Sequence, residues 1–139
     1  MSEQSERLYT PELLELALGL AGYPLTEALP LRGDARSPSC GSRVSIGLRL
    51  DRTDTIASVG VRSQACAIGQ AACAIFANAV VGQNVRSIAE ALSQNETWLQ
   101  DDGPLPQWPG MKLLERARCY PGRHGAILLP WRAALAALQ

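Results

Sequence analysis

The chain lacks most of the groups that mark a hydrolase, a redox enzyme or a nucleotide-binding protein. Its 139 residues contain one histidine, His124, and no carboxylate near it in sequence would orient it, so a hydrolytic triad has no natural place. There is no Cys-x-x-Cys, His-Glu-x-x-His, Gly-x-Ser-x-Gly, Walker loop or dinucleotide-binding glycine pattern. Net charge is also absent. The 13 basic residues cancel the 13 acidic ones, which removes the global field that would draw nucleic acid or an anionic membrane. No repeat or low-complexity tract occurs, and no apolar run carries the aromatic and basic flanks of a membrane span. Residues 1–7 are polar and acidic rather than a basic, apolar leader. A frayed start, a cytoplasmic location and reduced thiols at Cys40, Cys66, Cys73 and Cys119 are therefore expected, with no structural disulfide.

What is present is enough for one folded domain over residues 1–139. The length admits one real core but not two, and 47% hydrophobic residues with 19% charged ones exclude a disordered chain. The stretch 59–82 organises the rest. It opens as a strand, with Ala57, Val59 and Val61 alternating against Ser58, Gly60 and Arg62. At Cys66 the period turns helical, and nearly every residue to Val81 is small or apolar, with Gly82 placed to stop the helix. Only Gln70 and Asn78 are clearly polar, so the spacing predicts a core helix over 66–81. Cys66 falls in its first turn, where unpaired N–H groups and the helix dipole favour a thiolate. By itself the helix favours a plainer role for Cys66, a small hydrophobe filling the core, and still more so for Cys73 two turns on.

The remaining elements are read around that helix. Thr10 is an N-cap, with Pro11 at the first helical position, and Leu13, Leu14, Ala17, Leu18 and Ala21 form a stripe ended by Gly22. Residues 23–39 read as an ordered loop with a short edge strand around Leu29–Leu31. Val44, Ile46, Leu48 and Leu50 alternate with polar or small residues, and residues 51–54 make a turn, so 43–62 is a β-hairpin. An antiparallel hairpin returns its end near its start. Cys40, just before it, and Cys66, just after it, are therefore expected at the same end of the sheet. Further on, Asn84 or Ser87 caps a helix whose stripe is Val85, Ile88, Leu92, Trp98 and Leu99, with Ser87 and Glu90 spaced as a capping box. Residues 101–110 form a proline-rich loop, residues 111–119 a short helix, and a last helix starts near Leu128 or Leu129 so that Pro130 lies in its first turn. Trp98, Trp108 and Trp131 read as core or loop anchors, and Arg123 and His124 as surface or capping residues with a functional alternative. The fold class is α+β: a small antiparallel β-sheet with helices packed on one face.

These pieces, in this order, resemble the NifU/IscU/SufU-type scaffolds of iron–sulfur cluster assembly. Pro-Ser-Cys40-Gly is similar to the family's Cys-Gly-Asp loop. Val-Arg-Ser-Gln-Ala-Cys66-Ala-Ile is similar to its strand-to-helix junction. An Ala-rich helix ending Val-Val-Gly-Gln follows, and the segment from Ala117 through Tyr-Pro-Gly-Arg-His-Gly-Ala to Trp131 and Leu135 is similar to the family's last cysteine-bearing helix. The resemblance implies a scaffold or carrier rather than an enzyme, holding a [2Fe–2S] cluster or zinc. It implies sulfur from a cysteine desulfurase, delivery to apo-protein acceptors, and no nucleic-acid or membrane partner. By position it implies Cys40 and Cys66 as ligands. The family aspartate falls on Ser42 and its third cysteine on Ala126, neither a normal ligand, and four strong donors are wanted. Three readings stay open. The site is rebuilt with His124, Cys119 or Cys73, with Arg123 in support; or a homodimer pools Cys40 and Cys66 from two subunits; or the chain is a degenerate relative acting as an interaction or regulatory module. A reading of another class is a small thiol enzyme in which His124 activates Cys66.

Overall fold

A computed structural model describes residues 8–38 and 41–139. The expected fraying of residues 1–7 lies outside the described residues. Helix α1 spans Pro11–Gly19, and a 3-10 turn, Leu20–Gly22, extends it. Thr10 caps it as expected, accepting from the Leu13 N–H at 3.3 Å. Three antiparallel strands follow in the order β1 (Leu31–Arg36), β2 (Arg43–Leu50) and β3 (Ile56–Gln64). The 43–62 hairpin is therefore present and slightly longer at its far end. Its turn is held by the Asp51 carboxylate, which accepts from the Thr53 and Thr55 N–H groups.

The strand β1 corrects the reading of residues 23–39 as loop with a brief edge strand at Leu29–Leu31. It is six residues long and pairs with β2 along its whole length. Its inward positions are Leu31, Gly33 and Ala35, and its outward ones Arg32, Asp34 and Arg36, so the alternation is real but carries little hydrophobicity. The reason is a helix pressed against it. A Cβ at Gly33 would lie 2.1 Å from the Ala133 carbonyl oxygen and 2.4 Å from the Ala137 nitrogen. Only glycine leaves room for the last helix there.

Helix α2 runs Ala67–Val80, with Cys66 as its N-cap and Gly82 beyond its end at φ 92°. Gly82 and Gln83 tie that end to the sheet through two backbone bonds with Ile56. The helix is buried nearly all round, as its composition demands, and packs against α1, β3 and the last helix. Helix α3 spans Val85–Gln100. Asn84 is its cap and Ser87 the third residue of the capping box, which settles the choice of cap and replaces the Ser87–Glu90 pairing. Its buried face is Ile88, Ala91, Asn95, Trp98 and Leu99, whereas Val85 is exposed.

Residues Met111–Cys119 form the expected short helix, wound as a 3-10 stretch. The last helix, α4, spans Pro121–Ala137, about two turns longer at its start than Pro130 suggested. Pro121 occupies a starting position, so one proline begins the helix and Pro130 sits inside it. Pro130 withholds the N–H that the Ala126 carbonyl would accept. That carbonyl instead faces α2 at Gly69, where both helices lie in the core. Helix α4 packs on β1, β2, α2 and α3, and so joins the sheet to the helical layer. At its centre Trp131 and Trp108 meet Phe76 of α2, all with centroids 5.5–5.6 Å apart. The Trp108 indole N–H donates to the Ile75 carbonyl at 3.0 Å. The three tryptophans are core anchors, as read from the sequence.

Candidate functional site

The end of the sheet where β1 turns into β2 and β3 runs into α2 carries an open cleft of about 320 Å³. Gly41, Ser42, Gln64, Ala65, Cys66 and Arg123 line it. Each arrives by a local cause. The Ser37 N–H donates to the Ser42 carbonyl and the Gly41 N–H to the Ser37 carbonyl, both at 2.9 Å, which closes the base of the β1–β2 connection. Gly41 takes φ 71°, a conformation that an L side chain rarely adopts. Cys66 leaves the strand in an extended conformation, φ −66° and ψ 172°, before the first helical residue. It stands one position earlier than the first turn expected for it. It is half-buried, and its junction is braced by Gln70, whose amide donates to the Ala65 carbonyl at 3.1 Å.

Cys40 lies outside the described residues, but its neighbours Gly41 and Ser42 share the cleft with Cys66. That is the end of the sheet at which hairpin geometry expects the two cysteines. Ser42 is buried at the cleft wall. Ala126 is fully buried, and a Cβ at Gly69 would lie 3.4 Å from its own Cβ. Ala126 therefore sits beside α2 one turn from Cys66 but presents a methyl group. Arg123, three residues before Ala126, the first buried residue of α4, does reach the cleft.

The other thiols and the histidine stand elsewhere. Cys73 is fully buried, and burial pushes its thiol up to about 12, outweighing the opposite pull of the nearby Ser63 side chain. Cys119 is exposed on the 3-10 stretch and lines a separate hollow with Leu99, Asp102, Glu115 and Arg118. The His124 Nε2–H donates to the Arg118 carbonyl at 2.8 Å, which fixes its ring toward the 3-10 stretch. Arg118 in turn lies 4.9 Å over the Trp98 ring, donates to the Trp98 carbonyl and pairs with Asp102. Among the described residues no group of three or more His, Cys, Asp or Glu side chains is placed to hold a metal ion. Gly41, Gln64 and Ala65 are the cleft residues that the sequence did not single out. Alternation along β3 carried the signal for Gln64, as an outward strand-end residue two before Cys66.

The NifU-like N-terminal domain profile matches residues 22–108, more than half of the chain and including the cleft's Gly41, Ser42 and Cys66. The chain belongs to the NifU-like N-terminal domain family. A NifU-like N-terminal protein from Brucella abortus has the same fold at TM-score 0.83 and 26% identity, covering 98% of this chain and 95% of its own. A SUF-system protein from Fervidobacterium islandicum AW-1, described as an iron–sulfur cluster assembly scaffold, also reaches TM-score 0.83, at 21% identity over 96% and 98%. A third solved chain of no stated function matches at TM-score 0.70 and 19% identity, over 92% and 98%. No protein of curated function matches the sequence significantly. The NifU-like fold thus spans the whole described chain, and α4 with Arg123 and Ala126 lies beyond the profile's match. Among the described residues no helix is long and apolar enough to cross a membrane.

Proposed function

We propose that this NifU-like protein is a scaffold-type carrier in iron–sulfur cluster assembly, with Cys66 and Cys40 as its acceptor thiols. In this reading a cysteine desulfurase supplies sulfur, and apo-proteins receive the cargo. The observation that carries it is the position of Cys66. It caps a buried helix at an open cleft whose opposite wall is the Gly41–Ser42 loop next to Cys40. The start of that helix and Arg123, which also lines the cleft, give it a positive character suited to an anionic cargo such as cluster sulfide.

One chain brings at most two thiolates to this cleft, because Ser42 and Ala126 stand where family members have stronger donors. A cluster needs about four. The [2Fe–2S] cargo is therefore held between two subunits, each giving Cys40 and Cys66, and it leaves as the pair opens. Zinc would meet the same shortage of donors.

Anaerobic reconstitution with ferrous iron and sulfide tests this. The expected product is a coloured dimer with one cluster per two chains, abolished by Cys40→Ser and by Cys66→Ser. A colourless, iron-free wild type would sink the cluster-carrying reading. The second reading, a family member without a cluster, draws its support from the buried Ala126 methyl, which offers no donor beside Cys66. The thiol-enzyme reading needs His124 at Cys66, and the bond from His124 to Arg118 points the ring away from such use.

A further inference from the structure

The outer face of the sheet carries a second and larger cleft, about 550 Å³, lined by Asp34, Arg36, Arg43, Ser45, Arg62 and Gln64 among others. Strand register explains how the charges gather. Arg36 of β1 lies directly opposite Arg43 of β2, and Arg43 lies opposite Gln64 of β3. In the next outward row Asp34, Ser45 and Arg62 lie side by side. Three guanidiniums from three strands thus share one hollow with one carboxylate, and the Asp34 carboxylate is taken up by the Ser45 hydroxyl. All three arginines are exposed, and no ion pair among the described residues involves them. By contrast Arg32, an outward arginine two rows further along β1, donates to the Leu29 and Thr26 carbonyls and holds the loop that covers Gly47 and Gly60. Arg32 is committed to the fold; the other three are not.

Like charges placed directly opposite on adjacent strands oppose folding. In a chain of zero net charge nothing global requires such a cluster. Gln64 also lines the Cys66 cleft, so the basic hollow and the thiol cleft adjoin at this end of the sheet. We propose that this face docks an acidic segment of a partner protein, whose carboxylates pair with Arg36, Arg43 and Arg62 and bring the partner's surface beside Cys66. An extended acidic segment suits the site because the arginines spread across three strands, roughly 10 Å from β1 to β3. Arginine suits the carboxylate because its planar fork binds both oxygens. The inference stands on register and charge, whatever Cys66 carries.

The test uses the full chain and a fluorescein-labelled hexaglutamate peptide, followed by anisotropy in about 20 mM and about 150 mM salt. Binding is expected at the lower salt, weaker at the higher. The triple variant Arg36→Glu, Arg43→Glu, Arg62→Glu should lose on the order of tenfold or more in affinity. Arg49→Glu, an equal charge change at the other end of β2, should keep it. Arg43→Glu alone should raise the thermal midpoint while weakening the peptide, because it turns an Arg–Arg pair into Arg–Glu. That pairing of gain and loss separates a docking role from a structural one. Equal binding by wild type and triple variant would overturn the proposal. So would a lowered midpoint in Arg43→Glu, full competition by citrate at matched carboxylate concentration, or equal binding of an oligothymidylate.

Discussion

Adding one methyl group at two glycines should move stability in opposite directions, and the magnitudes follow from the backbone around them. At Gly33 the new Cβ would fall 2.1 Å from the Ala133 oxygen and 2.4 Å from the Ala137 nitrogen. Ordinary contact begins near 3.4 Å, so α4 must retreat from β1 by about 1 Å, and no flexible side-chain tip can yield instead. Overpacking of this kind costs about 1–3 kcal/mol, and a clash with helix backbone belongs at the upper end. For 139 residues the unfolding entropy is about 0.3 kcal/mol/K, so a loss of about 3 kcal/mol lowers Tm by about 10 °C. Gly19 is the last residue of α1, and a Cβ there meets nothing within 4 Å. Gly19→Ala should therefore gain up to about 1 kcal/mol through helix propensity alone, raising Tm by about 2–3 °C. Calorimetry or thermal circular dichroism on Gly33→Ala, Gly19→Ala and wild type measures both shifts. A Gly33→Ala protein melting within about 2 °C of wild type would refute the close seating of α4 on β1.

Two further predictions concern buried groups. The Cys73 thiol keeps its proton up to about 12 in the fold, against 9.0 in an open chain, because burial disfavours the thiolate. Between those values the unfolded state sheds a proton that the folded state retains. The thiol's contribution is therefore complete below 9.0 and is lost as pH rises toward 12, with a slope approaching ~1.4 kcal/mol per pH unit. Urea midpoints of wild type and Cys73→Ala at about pH 8, 9 and 10 should show the wild type's advantage shrinking, and a constant gap would count against this account. Asn95 is fully buried on the face of α3 that meets the core, and neither its side-chain oxygen nor its nitrogen has a protein partner. Asn95→Leu should gain about 1–2 kcal/mol in urea unfolding, and a loss would show that the amide has a role its surroundings do not reveal.

Sequence alone determined the parts of this protein whose signals are local. The alternation of Val44, Ile46 and Leu48 and the 51–54 turn specify the hairpin, because a period of two can bury only one face. The apolar run after Cys66 specifies a buried helix, Thr10 and Gly82 mark helix ends by their own chemistry, and the order of motifs identified the family that the profile match establishes. The hairpin's closure also set Cys66 beside the Gly41–Ser42 loop.

Tertiary structure decided the rest, wherever a residue's place depends on a distant neighbour. The strand β1 looks weak in sequence because Gly33 must lack a side chain to admit α4. Pro130 reads as a helix start, yet packing against sheet and helices on several sides sustains α4 through the missing hydrogen bond. Asn95 is polar but lies on a core face, and Val85 is apolar but exposed, because the seating of α3 is set by its contact with α4. Arg123 enters the Cys66 cleft and His124 turns to Arg118 because α4 begins at Pro121, not near Leu128. Local chemistry fixes which elements form; the approach of one backbone to another, here at Gly33 and Gly69, fixes where α4 places its side chains at the site.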